Sequence, residues 1–358
     1  MDILKKAFVF EKRLVLLVLM FVLGTSIFRH SLMLQGKGEV SAVDKKIKIL
    51  AAEAKIRSSA NWKPEGSGSG EIIYGLPEIR AGGVVDFESG NVIWSKNLND
   101  RIAPASLVKL ATVMTALDLE NLNKQITVSA VAADQIPTKL GLKAGEKLTL
   151  DEAVAAAGLT SANDATEAIA DSIGKEVGEG SVDFMQLVNL KLKKIGATSS
   201  HFTNAPGLDE AGPPSVEADN FSTVYDLAII AHSAKANYPL IAKTAASDYR
   251  RLEANLDHKL FDLPNWNALL GTYPGVDGLK IGYTEAAGHV TIVTANRNGH
   301  ELMAIVIGAK SLEDREVAGA TLLNYVFTKY GIEAYPVENL DLVRRYEDWR
   351  KQLSLVNP

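Results

Sequence analysis

The chain has 358 residues, 47% of them hydrophobic, which is enough to bury a sizeable core and excludes wholesale disorder. Its formal net charge is −5 and its Lys and Arg residues are scattered, so no basic face is offered to phosphate backbones and nucleic acid is excluded as a partner. There is no cysteine, which removes disulfides, thiol nucleophiles and thiolate metal sites together.

At the N-terminus, Lys5, Lys6, Lys12 and Arg13 precede an apolar run over residues 14–28 that Arg29 closes. That charge order is an export signal. As a helix the run reaches about 22 Å, short of the roughly 30 Å hydrocarbon layer, which favours a cleaved signal peptide. No small-residue cleavage site follows it directly, which favours an uncleaved anchor. Residues 1–30 are expected to be one or the other, and either places the remainder outside the cytoplasm, in the cell envelope, membrane-anchored or secreted. Residues 31–70 read as a juxtamembrane linker, with helical propensity over 44–56 and a flexible Gly66-Ser67-Gly68-Ser69-Gly70 stretch.

A folded domain is expected over residues 71–332. Two strand-like runs, 81–87 and 91–97, flank Glu88-Ser89-Gly90 and predict a hairpin. From Ser106 to Leu119 the residues Leu107, Leu110, Ala111, Met114 and Leu117 keep helical spacing, and Pro104 suits the start. Further helices are predicted over 152–157 with Asp151 as cap, over 162–173, from Ser181 as cap to Gly196, and over 222–236. Strand character returns at 278–283, 289–295 and 301–307, the last two joined by Asn298-Gly299, a strong hairpin signal. A helix over 311–330 closes the domain, and one more over 340–355 lies in a C-terminal helical tail, 333–358. Strands at both ends with helices between them predict an α+β fold: one antiparallel sheet assembled from both ends, flanked by helices, with a helical subdomain.

Three short motifs carry the chemistry. In Ser106-Leu107-Val108-Lys109 the serine and lysine fall one above the other on a helix, so the hydroxyl and the amine can meet. Serine is a weak nucleophile that needs a base, and a desolvated lysine can act as one. Ser161-Ala162-Asn163 also opens a helix and offers a second hydroxyl for proton transfer and an amide to hold substrate or base. Lys280-Ile281-Gly282 lies on a predicted strand, where a lysine can hold a carboxylate and a glycine lets another backbone come close. Standing alone, each motif is met by an ordinary reading: helix caps for the first two, a surface lysine for the third.

In this order the three are similar to the Ser-x-x-Lys, Ser-Asp-Asn and Lys-Thr-Gly set of class A β-lactamases and penicillin-binding proteins. The chain resembles the serine-type D-Ala-D-Ala carboxypeptidases, the low-molecular-mass penicillin-binding proteins, from about Gly83 to Tyr330. Ala103-Pro104-Ala105-Ser106, Ser161-Ala162-Asn163-Asp164, Pro206-Gly207-Leu208, Ser222-Thr223 and residues 265–270 and 275–288 share in the likeness. The resemblance implies a β-lactamase/transpeptidase-like fold and removal of the terminal D-Ala from peptidoglycan stem peptides. It implies Ser106 as the acylated nucleophile, Lys109 as the base, Ser161 sharing proton transfer, and Asn163 and Lys280 orienting base and substrate. Gly282 and the Tyr283 backbone would complete the substrate site, with the N–H groups of Ser106 and Tyr283 as oxyanion hole. No metal or cofactor is called for, and β-lactams are the implied acylating inhibitors. His201, His232, His258, His289 and His300 fall outside the motifs and read as structural or solvated.

The departure is Ile281, where the family carries Thr or Ser. A hydrocarbon cannot bond the substrate's terminal carboxylate, a loss of about 1.5–3 kcal/mol if nothing replaces it. The motifs leave open a D,D-endopeptidase acting on cross-links, and Ile281 leaves open a penicillin- or peptidoglycan-binding protein of weakened activity. A β-lactamase would need an added acidic residue for deacylation, and none stands out.

Overall fold

The computed structural model describes residues 37–59, 61–209 and 220–356. The apolar run at 14–28, expected to be the signal peptide or anchor, lies outside them; among the described residues no helix is long and apolar enough to cross a membrane. The chain divides into two units at Ala51/Ala52. The first unit is described only from Lys37, as the greater part of helix α1 (Lys37–Lys55), longer than the helical stretch expected there.

The second unit is built on a five-stranded sheet. In chain order its strands are β1 (Ala81–Asp86), β2 (Val92–Lys96), β7 (Val276–Thr284), β8 (Gly288–Arg297) and β9 (His300–Ala309), arranged β2-β1-β9-β8-β7. All pairings are antiparallel, and β1 lies beside β9 with Ala81 opposite Ile307 and Asp86 opposite Leu302, so both ends of the domain meet in mid-sheet as expected. The β8–β9 turn places Asn298 at φ 52° and Gly299 at φ 84°, both left-handed, the requirement of a two-residue type I′ turn. One face of the sheet is covered by helix α9 (Leu312–Lys329), whose Leu322, Leu323, Val326 and Phe327 are fully buried. Its cap is Ser311, whose hydroxyl accepts from Asp314 N at 3.0 Å.

The helical subdomain holds α2 (Val108–Leu119), preceded by a 3₁₀ turn (Ala105–Leu107), then α4 (Leu150–Leu159), α5 (Asn163–Val177) and α6 (Ser181–Ile195). Ten of the twelve residues of α2 are buried, so any polar side chain on it must find its partners inside the protein. Two expected caps move. Helix α4 is capped by Thr149, not Asp151: Thr149 Oγ1 accepts from Glu152 N at 3.2 Å and Glu152 Oε2 accepts from Thr149 N at 2.8 Å, a reciprocal capping box. Ser181 does not cap α6; Gly180 stands there, and the Ser181 hydroxyl turns to Glu167. The expected fourth helix is α7 (Val224–Asn237), capped by Thr223. Short elements that periodicity could not reveal are α3 (Ala130–Ala133), α8 (Pro239–Ala245) and the hairpins β3–β4 (Gln125–Thr127, Lys147–Thr149) and β5–β6 (Tyr249–Leu252, Phe261–Pro264).

The glycine-serine stretch read as a flexible linker is instead bound to the sheet. Glu65 N donates to Gly90 O at 2.9 Å, Ser69 N to Ile93 O at 3.0 Å and Ser95 N to Ser69 O at 3.2 Å, so residues 65–69 run parallel to the free edge of β2. Glycine serves there for close approach: Gly68 has φ +70°, and a Cβ on it would lie 2.8 Å from the Trp94 carbonyl carbon. The strap covers an edge that would otherwise be open to pairing. Gly68→Val is expected to cost about 2–3 kcal/mol, seen as a lower urea midpoint with an unchanged slope. An unchanged midpoint would mean that the strap contributes no stability. At the other end, α10 (Leu342–Val356) docks Tyr346 and Trp349 against the core under α9.

Candidate active site

Ser106 sits in the 3₁₀ turn and Lys109 in the first turn of α2, one turn further along the same face. Lys109 Nζ lies 2.7 Å from Ser106 Oγ, 2.8 Å from Asn163 Oδ1 and 2.7 Å from Pro206 O. Lys109 is 1% exposed, and burial, followed by the nearby charge of Lys280, holds its pKa well below the usual lysine value, against the opposing pull of Asp164. In its neutral form the amine could keep two N–H bonds, to Asn163 and Pro206, and offer its lone pair to the Ser106 hydroxyl. The Pro206 carbonyl reaches Lys109 because the next residue has no side chain: Gly207 has φ +78°, and a Cβ there would lie 2.1 Å from Ala105 O.

The second motif closes over the first. Asn163 begins α5, and while its Oδ1 takes the Lys109 bond its Nδ2 donates to Ile136 O at 2.9 Å. The amide can therefore turn only one way. Asp164 accepts from the backbone N–H groups of Leu140, Gly141 and Leu142 at 2.9–3.0 Å, which pins that loop on the helix start. Ser161 has φ 57°, a conformation unusual for serine, and its buried hydroxyl has no partner among the described residues.

The third motif comes from the sheet. β7 is an edge strand, so one row of its backbone groups has no strand partner, and that strand packs against the 3₁₀ turn. Gly282 permits the approach: a Cβ on it would lie 2.9 Å from Ser106 N and 3.2 Å from Ser106 Cβ. Lys280 alternates onto the Gly282 face and is 3% exposed. Its Nζ donates to Ile281 O at 2.9 Å, and its pKa is pushed down to about 7 by burial and then by the charge of Arg315. A cavity of about 20 Å³ between Lys109 and Lys280, walled by Leu110, Val113 and Leu279, is large enough for one water. Ile281 is buried opposite Thr291, and Tyr283 is 54% exposed at the cleft mouth with its ring 4.5 Å from that of His289.

Of the seven residues named from the sequence, Ser106, Lys109, Asn163, Lys280 and Gly282 are brought together by contacts between three separate stretches of chain, while Ser161 and Tyr283 stand beside them in sequence. Arg315 was not among them. It is 1% exposed in the first turn of α9 and paired with Glu316, and its charge reaches Lys280. Sequence offered no signal for it, since an Arg-Glu pair after a serine cap reads as an ordinary solvated helix start.

Fold and site together define an active-site serine enzyme of the Ser–Lys, penicillin-recognising class. The sequence pattern of the D-alanyl-D-alanine carboxypeptidase family matches residues 74–311. The D-alanyl-D-alanine carboxypeptidase DacF of Bacillus subtilis is 31% identical over 284 residues, covering 78% of this chain and 68% of the relative. Among solved structures, a D-alanyl-D-alanine carboxypeptidase from Mycobacterium tuberculosis is 28% identical with a TM-score of 0.64, covering 75% of this chain and 96% of the other. Penicillin-binding protein D2 of Listeria monocytogenes, in its ampicillin-bound form, is 26% identical with a TM-score of 0.57, covering 70% and 97%. The chain belongs to the D-alanyl-D-alanine carboxypeptidase family.

Proposed function

We propose that the chain hydrolyses the terminal D-Ala from peptidoglycan stem peptides through an acyl-enzyme on Ser106. The observation that carries this reading is the buried Lys109 amine, 2.7 Å from Ser106 Oγ and biased by burial toward its neutral, proton-accepting form. Ser106 Oγ attacks the carbonyl carbon of the penultimate D-Ala as its proton passes to Lys109 Nζ. The oxyanion is received by the N–H groups of Ser106 and Tyr283, a reading supported by the close approach of Gly282, the residue before Tyr283, to Ser106 N. The C–N bond then breaks, and the departing amine of the terminal D-Ala takes a proton relayed by Ser161. A water, with Lys109 again as base, frees the peptide. Lys280, with Arg315 behind it, holds the terminal carboxylate, and Asn163 holds the base.

The test is direct. The full chain, given a pentapeptide ending in D-Ala-D-Ala and, separately, a labelled penicillin, is expected to release D-Ala and to carry the label on the peptide containing Ser106. Neither release nor label would overturn the reading. A D,D-endopeptidase acting on cross-links would use the same steps, and comparing a cross-linked dimer with the pentapeptide ranks the two.

Two further outcomes follow from the site. Below about pH 7 Lys280 is charged and above it neutral, so kcat/KM is expected to fall as pH rises through about 7. A bound carboxylate stabilises the charged form, so the same limb in kcat should lie at higher pH. Coincident limbs in the two profiles would exclude Lys280 as the carboxylate holder. Ile281→Thr is expected to lower KM for the free-carboxylate peptide roughly tenfold by adding one hydrogen bond to a charged group.

Members of this family work on the cell wall, outside the cytoplasm. We assign that placement here to residues 1–30, as anchor or cleaved signal. Residues 71–332 form the peptidase domain in this reading, with the strap and the C-terminal helix docked on it.

A further inference from the structure

After α3 the chain passes over the surface at residues 134–141, none of which is buried, and Ile136 there is 59% exposed. The loop fills little of the core, yet it is bonded closely to the second motif. Thr138 O accepts from Asn163 N at 2.7 Å, Thr138 Oγ1 donates to Ser161 O at 3.1 Å, and Ile136 O accepts from Asn163 Nδ2 at 2.9 Å. Thr138 therefore grips the Ser161–Asn163 turn on both sides of Ala162. That turn needs gripping. Ser161 has φ 57°, a left-handed conformation that a residue with a Cβ keeps only where its surroundings fix it. Its hydroxyl has no partner among the described residues, so the backbone alone aims it. Besides Thr138, the turn is held by Ala162 N, which donates to Ala156 O on α4 at 3.1 Å. From Asn163 the bonds run on to the nucleophile: Asn163 Oδ1 is 2.8 Å from Lys109 Nζ, and Lys109 Nζ is 2.7 Å from Ser106 Oγ.

We propose that Thr138 is a positioning residue of the active site: its hydroxyl and its carbonyl hold Ser161 in the left-handed conformation and Asn163 at the start of α5, and so aim the Ser161 hydroxyl and the Asn163 amide. The proposal rests on the reading that Ser161 returns a proton to the departing amine. Thr138 acts only through the two residues it holds, and the surface loop that carries it serves the site rather than the core.

The test compares two substrates on the full chain: a peptide ending in D-Ala-D-Ala, and its analogue with sulfur in place of the scissile nitrogen. An amine needs a proton to depart, whereas a thiolate leaves without one. Thr138→Val keeps the side chain's shape and removes only the hydroxyl. It is expected to lower kcat/KM for the peptide roughly threefold to tenfold and to leave the thioester within about twofold. Thr138→Ser, which restores the hydroxyl, should return the peptide rate close to that of the parent. Peptide binding to Ser106→Ala, measured by calorimetry, should not move when Thr138→Val is added. Ser161→Ala should show the same loss confined to the peptide, and adding Thr138→Val to it should cost nothing more. Equal losses on the two substrates, a Thr138→Val enzyme as fast as the parent, a Thr138→Ser enzyme as slow as Thr138→Val, or a further loss in the double variant would overturn the proposal. A Ser161→Ala enzyme that treats the two substrates alike would instead retire the proton-relay reading of Ser161. Rescue by Thr138→Ser and the double variant then decide whether Thr138 positions the turn. The acylation rate with a labelled penicillin reads the same rescue and the same double variant should the chain release no D-Ala.

Discussion

Ser106→Ala is expected to abolish D-Ala release and penicillin labelling together, by a factor on the order of 10⁴ or more, because no other hydroxyl stands where Ser106 stands. Lys109→Met should cost nearly as much. Methionine fills the buried space but leaves the Ser106 hydroxyl without a base and strips a donor from Asn163 Oδ1 and Pro206 O. Since nucleophile and base act as one unit, the double variant should be no slower than Ser106→Ala. Lys109→Arg separates base from charge: a guanidinium keeps the positive charge but does not give up its proton in the accessible pH range, so it too should be inactive. Stopped-flow labelling with a fluorescent penicillin measures each rate. A Lys109→Arg enzyme working at even a tenth of the parent rate would show that Lys109 contributes charge rather than proton transfer, and the mechanism would have to be rebuilt around Ser161.

Gly282→Val is expected to slow acylation by roughly 10²–10³-fold, the effect of spoiling an oxyanion hole. The added Cβ would lie 2.9 Å from Ser106 N and 3.2 Å from Ser106 Cβ, and backbone atoms cannot swing aside as a flexible side chain can. Either β7 or the 3₁₀ turn must retreat, which parts the two N–H groups that receive the oxyanion. The accompanying loss of stability should be about 1–3 kcal/mol, the usual cost of overpacking. Gly282→Ala places the same Cβ and should act in the same direction with a smaller loss of stability. The signature is a slow acylation step with peptide binding to the Ser106→Ala background little changed. Normal acylation by Gly282→Val would mean that the oxyanion is held elsewhere.

Regular spacing made the frame legible. The apolar periodicity of residues 106–119, the alternation of 278–283, 289–295 and 301–307 and the Asn298-Gly299 turn each report local geometry, because helix, strand and type I′ turn are set by neighbours in the chain. The Ser106–Lys109 pair could be read for the same reason, since two residues three apart on a helix meet whatever the rest of the protein does. Where local signals misled, tertiary packing had changed their meaning. Gly66 to Gly70 has the composition of a flexible linker, yet a strand edge that needed covering turned those glycines into sites of close approach. Asp151 looked like a cap, but the cap is Thr149, two residues earlier, in a reciprocal pair with Glu152.

By itself, then, the sequence determined the α+β class, the order of the three motifs and the pairing of a serine with a lysine one helical turn apart, all of which depend on spacing along the chain. Only the tertiary structure decided that Lys109 would be buried and its pKa lowered, that Asn163 and Pro206 would fill its other bonds, and that β7 would press its glycine against Ser106. It also decided that Arg315 and Glu316 would be buried as a pair at the start of α9, from where the charge of Arg315 helps lower the pKa of Lys280. These depend on burial and on contacts between segments far apart in the chain, and neither a charge nor a spacing records how much water a side chain will lose when distant segments close around it.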